Sequence, residues 1–157
     1  MFELRAISFN ERLSEETNCY AAKLYMDGKH IADVSNHGHG GADIQRGVNG
    51  FDIDALNREI NATWPKVDLG DGVTVDNDLE LICGDLLDKW VTLRSVKRPF
   101  SKKILFLAAD ESAAKGFRCI PYTAANKDRV IAHIEAKYPG ARILNDMTDE
   151  QILELMK

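Results

Sequence analysis

The chain has 157 residues, 45% hydrophobic and 29% charged, with a formal net charge of −5. That length is enough to bury a core without disulfide or metal staples, and the composition excludes a disordered chain. The acidic balance excludes a protein built for non-specific binding along nucleic-acid backbones, which needs an excess of clustered Lys and Arg.

Residues 2–8 alternate apolar and polar side chains and predict a strand, followed by a polar connection at Asn10-Glu11-Arg12. Thr17 to Met26 and Lys29 to Ser35 flank Asp27-Gly28, a strong hairpin signal because both turn positions need positive φ. The run Asn36 to Asp43 holds three glycines in four positions and predicts a loop of unusual shape. Ile53, Leu56, Ile60 and Trp64 mark one face of a first helix, capped by Asp52 or Asp54 and stopped by Pro65. After a turn at 68–72, Asn77-Asp78 opens a second helix whose apolar residues recur from Leu79 to Val96 and which ends before Pro99.

Lys103 to Ala109 is a continuous apolar run of strand length, as in a central strand buried on both faces. Phe117 to Tyr122 predicts a further strand, Asn126 to Tyr138 a third helix, and Ala141 to Leu144 a short strand. Thr148 and Gln151 fit the capping box of a last short helix. With strands first and helices alternating with isolated strands later, the pattern is α+β: a small antiparallel sheet with an N-terminal hairpin, packed by three to four helices. No repeat, linker or low-complexity tract interrupts residues 1–157, which read as a single globular domain.

Cys19, Cys83 and Cys119 form no C-x-x-C pair and read as reduced, mostly buried thiols, Cys119 because it falls within a predicted strand. The N-terminus lacks the layout of a signal peptide and no apolar run reaches the roughly 18 residues of a membrane span, so a cytoplasmic protein without membrane contact is expected.

Two segments invite chemistry. His37-Gly38-His39, with His30 and Asp43, is a candidate metal site, since two imidazoles one residue apart can share an ion. In the same loop, Asn36, Gly38, Gly40 and Gly41 suit an anion-binding nest of backbone N–H groups. A dinucleotide fingerprint would need glycine where Asp43 stands, and the chain has no Gly-Lys-Ser or Gly-Lys-Thr of a P-loop. The second segment is basic: Arg94, Lys97, Arg98, Lys102 and Lys103 place five cations within ten residues. It suits a phosphate or an acidic partner, and equally a helix C-terminus, where cations favour the macrodipole. Asp110-Glu111 follows the apolar strand as a polar turn or a site at a strand end. No nucleophile elbow or zinc-deaminase signature occurs, and no cofactor is implied.

Ile7 to Thr17 (ISFNERLSEET), Tyr20, Leu24-Tyr25, Gly28-Lys29 and Val34 to Gly41 (VSNHGHGG) together resemble small proteins of phages, prophages and mobile elements, a likeness confined to residues 7–41. The resemblance implies an accessory protein that counteracts host defence from the host cytoplasm. The expected function is non-catalytic: sequestration of a small anionic, nucleotide-derived ligand by loop Asn36–Gly41 and the cations Arg94, Lys97, Arg98 and Lys102. The alternatives are a protein–protein inhibitor masking a basic nucleic-acid-binding host effector, and a metal-dependent hydrolase using His37 and His39. An open hairpin edge also suits a homo-oligomer.

Overall fold

Asp27 and Gly28 take φ of +49° and +79°, the backbone of a type I′ turn, and close β2 (Tyr20–Met26) onto β3 (Lys29–Asn36). The computed structural model describes residues 1–157. β1 (Phe2–Phe9) pairs with the other side of β2 and β4 (Ile44–Gly47) with the other side of β3, giving an antiparallel sheet of order β1-β2-β3-β4. Alternation sets its two faces. Tyr20, Ala22, Leu24, Ala32, Val34 and Asn36 are buried, whereas Ala21, Lys23 and Asp33 between them are exposed.

Two bulges bend this sheet. Between Arg5↔Lys23 and Ser8↔Ala21, β1 carries one residue more than β2, and Ala6 there takes φ +51°. Between Leu24↔Ala32 and Tyr25↔His30, the extra residue is Ile31 of β3.

The predicted first helix is α1 (Ile53–Thr63), with the Asp52 carboxylate accepting from Ala55 N at 2.8 Å. The second is α2 (Leu79–Lys97), capped by Asp78, which accepts from Leu81 N at 2.8 Å. Asn57 of α1 accepts from Leu79 N at 2.9 Å and Asn61 donates to the Asn77 carbonyl at 2.6 Å, so two amides tie α1 to the start of α2. Between the helices, the predicted turn is the tip of a minimal hairpin, β5 (Val67–Asp68) with β6 (Thr74–Val75).

The chain divides into two compact units, Met1–Asp88 and Lys89–Lys157. The boundary falls inside α2, where no change of composition marks it. In the second unit, β7 (Lys103–Leu107) lies between β8 (Arg118–Pro121) and β9 (Arg142–Ile143), both antiparallel to it. Its central place was legible in its apolar run. Leu105 and Leu107 join Val96, Leu144 and Ile152 in one core, while Ile104 and Phe106 join Ile134 in another. Ile134 belongs to α3 (Lys127–Lys137) and Ile152 to α4 (Asp149–Leu155), whose Thr148–Gln151 capping box forms as predicted. The fold is thus α+β, with four α-helices and antiparallel sheets. No helix is long and apolar enough to cross a membrane.

One expectation about burial changes. Cys119 is exposed rather than buried, because β8 is an edge strand with a neighbour on one side only. Trp64 is 43% exposed at the end of α1, where it packs on Phe2 with ring centroids 5.7 Å apart.

Candidate functional site

Residues 15–17 and the glycine loop 36–43 meet in space and hold each other. Glu15 N and Glu16 N donate to the Gly38 carbonyl at 2.9 and 3.0 Å, with Thr17 N at 3.4 Å. Asn36, 6% exposed, is the hub. Its Oδ1 accepts from Thr17 Oγ1 at 2.7 Å and from Gly38 N at 2.9 Å; its Nδ2 donates to the Gly41 carbonyl at 3.1 Å and to Asp43 Oδ1 at 3.0 Å. All four hydrogen-bonding positions of the amide are filled. Gly40 N donates to Thr17 Oγ1 at 3.3 Å. The Gly38 and Gly40 N–H groups, two of those expected to cradle an anion, are therefore spent inside the protein.

Asp43 extends the network into the core. It accepts from the Tyr20 hydroxyl, and its own N–H donates to Glu80 Oε1 at 3.2 Å. Burial, reinforced by the Asp43 carboxylate, holds the Tyr20 phenol far above its ordinary range, so it stays a donor. Burial also raises the Glu80 carboxyl, with the Asp43 and Asp78 charges adding to the shift. The Cys83 thiol is pushed up to about 12, by burial first and then by Asp43, Asp78 and Glu80. This thiol is protonated and inert at neutral pH.

The histidines serve separate neighbours. His39 Nδ1 lies 3.3 Å from Glu15 Oε2, and His30 Nε2 lies 3.1 Å from the Ala32 carbonyl and 3.0 Å from Asp33 Oδ1. No group of three His, Cys, Asp or Glu side chains is disposed to hold a metal ion.

The basic segment belongs to the second unit, whereas the glycine loop belongs to the first. Arg94 lies over the Trp90 ring, 5.0 Å from its centroid, and Lys97 pairs with Asp149. Arg98 and Lys102 are exposed. Glu111, also in the second unit, is a structural anchor: it takes Arg118 Nε at 2.7 Å and Ala108 N at 3.0 Å, and its carbonyl takes Arg142 Nη2 at 2.9 Å. The Arg118 hydrogen bond, then the Ala108 N–H, hold its carboxyl below the usual range.

Sequence reading missed a groove of about 460 Å³ on the open face of the β1–β4 sheet. Ser8, Ala21 and Ser35 lie in one row across three strands and keep its floor low. The next row places Lys23, Asp33 and Arg46 side by side on β2, β3 and β4, all lining the groove, with His37 among the lining residues. Lys23 and Arg46 each stand directly opposite Asp33 and so flank it two strand spacings apart, about 10 Å, within the combined reach of two long side chains. Neither Lys23 nor Arg46 forms an ion pair. Ala6, the residue with left-handed backbone at the β1 bulge, lines the groove as well. Such bulges re-aim strands beside functional sites.

The signal for this groove was the register. Lys23, Asp33 and Arg46 are far apart in sequence, and β4 carries too few residues to show a strand period.

No family model matches the chain, and neither a curated protein nor a solved structure matches it.

Proposed function

We propose that the protein is a non-catalytic binder of a small anionic ligand of the nucleotide class, held in the groove on the open face of the β1–β4 sheet. The observation that carries this reading is the pair Lys23 and Arg46, unpaired cations facing one concave space on a chain of net charge −5. Charge-assisted hydrogen bonds from an ammonium and a guanidinium to one phosphate are strong, and the guanidinium adds a two-pronged geometry. The groove's volume of about 460 Å³ falls within the range of ligand pockets, about 300–1,000 Å³.

The glycine loop then supports the site by fixing the end of β3 rather than by touching the ligand. The likeness of residues 7–41 to phage and mobile-element proteins supports a setting in the host cytoplasm, where sequestering a nucleotide signal counteracts a defence.

Calorimetric titration with AMP tests the reading. Lys23→Ala and Arg46→Ala each weaken binding by about ten-fold or more, the loss of one charge-assisted contact. Unchanged affinity in both variants would overturn the groove as the site.

A further inference from the structure

The groove carries a carboxylate between its two cations, and a site for a bare anion has no use for one. Asp33 stands opposite Lys23 on one side and Arg46 on the other, yet it forms an ion pair with neither. Its Oδ1 faces His30 Nε2 at 3.0 Å. That nitrogen also lies 3.1 Å from the Ala32 carbonyl, which can only accept, so Nε2 carries the proton and donates. The Asp33 side chain is 58% exposed, and its second oxygen, Oδ2, makes no hydrogen bond within the protein and faces solvent. The hydroxyls of Ser8 and Ser35, also in the groove, make no hydrogen bond within the protein.

Resting on the reading of the groove as an anion site, we infer that Asp33 selects ligands carrying hydroxyl groups beside the phosphate, so that the site takes a phosphorylated sugar moiety in preference to phosphate alone. Lys23 and Arg46 neutralise the phosphate, and Asp33 Oδ2 accepts from a sugar hydroxyl. Ser8 and Ser35 can donate to or accept from its neighbours. The carboxylate repels an anion that brings no donor, which makes discrimination a matter of both attraction and repulsion. An analogue lacking the hydroxyls loses the contact to Asp33 and keeps the repulsion between the carboxylate and its phosphate.

Two sources share this chemistry, a mononucleotide and a simple sugar phosphate, and the titrations separate them. AMP, ribose 5-phosphate, 2′,3′-dideoxy-AMP and inorganic phosphate are titrated by calorimetry into the wild-type chain and into Asp33→Ala, with Asp33→Asn as a second variant and circular dichroism checking the fold. The expected result is binding of AMP and ribose 5-phosphate about ten-fold or more tighter than of dideoxy-AMP or phosphate. In Asp33→Ala that preference disappears while phosphate itself binds more tightly, a reversal of sign that a merely structural role for Asp33 does not produce. Asp33→Asn keeps an acceptor and removes the charge, so it retains part of the preference. AMP binding far tighter than ribose 5-phosphate identifies the mononucleotide as the source, provided the hydroxyl preference holds. Equal affinity for AMP and dideoxy-AMP, with Lys23→Ala and Arg46→Ala still weakening binding, would overturn the role of Asp33 and leave the anion site standing. Absence of binding for all four probes overturns both.

Discussion

A Cβ at Gly38 would stand 2.0 Å from the Leu13 carbonyl oxygen and 2.9 Å from the Cys19 Cβ, on a backbone with φ +86°. Gly41 has φ +86° as well, with nothing within 4 Å of its would-be Cβ. The pair separates strain from collision. Gly41→Ala costs about 1–2 kcal/mol for the left-handed backbone alone, and Gly38→Ala costs clearly more, read from urea unfolding midpoints. Removing the Asn36 side chain leaves Gly38 N and the Gly41 carbonyl without partners, so Asn36→Ala destabilises by about 1–3 kcal/mol in the same assay. Thiol chemistry gives a further check at this scale. Exposed Cys119 reacts with Ellman's reagent in the native protein, whereas Cys83, fully buried and with its pKa pushed up to about 12, reacts only on unfolding. The sequence signals the glycines' special backbone but not their purpose. Clustered glycines suit a phosphate nest and a closely packed loop alike, and what decides between them is Thr17 and Asn36, nineteen positions apart, meeting through one hydrogen bond.

Elements whose signals are local were legible. The Asp27-Gly28 hairpin, the start of the second helix after Asn77-Asp78, the central β7 and the Thr148 capping box each depend on neighbours within a few residues, and each forms where expected; of the two caps offered for the first helix, Asp52 is the one used. Thr148→Ala accordingly lowers stability by about 1 kcal/mol, measurable as a shift in thermal midpoint. Elements that exist through pairing alone were not legible: β4, β5 and β6 are two to four residues long and are defined by their partners. The burial of Cys119 was misjudged for the same reason, since whether a strand lies at an edge is a property of the sheet. Between β7 and β8, Glu111 and Arg118 make a pH-dependent contact. The native Glu111 carboxyl is held below its unfolded value, so its contribution to stability is present above the ordinary carboxylate range and is lost as pH falls through the lowered native value. The urea midpoint of Glu111→Gln therefore lies below that of the wild type at about pH 7, and the difference shrinks at about pH 3.

At the scale of the whole molecule, the α+β class followed from the order of elements, while the division into units at Asp88 and Lys89 did not, because a helix crosses it. The same limit applies to the candidate site. Lys23, Asp33 and Arg46 become neighbours only once a bulged β2–β3 pairing and a four-residue β4 fix the register. The cations that sequence favoured, Arg94 to Lys102, drew notice by being contiguous, although Lys97 is neutralised by Asp149 and Arg94 rests on Trp90. The measurement that tests the groove most directly is a ¹H–¹⁵N correlation titration of the full chain with AMP. Saturable shifts centred on Lys23, Asp33, Ser35 and Arg46, with residues 94–102 unmoved, are the expected result. Shifts centred on residues 94–102, or none at any ligand concentration, would contradict it.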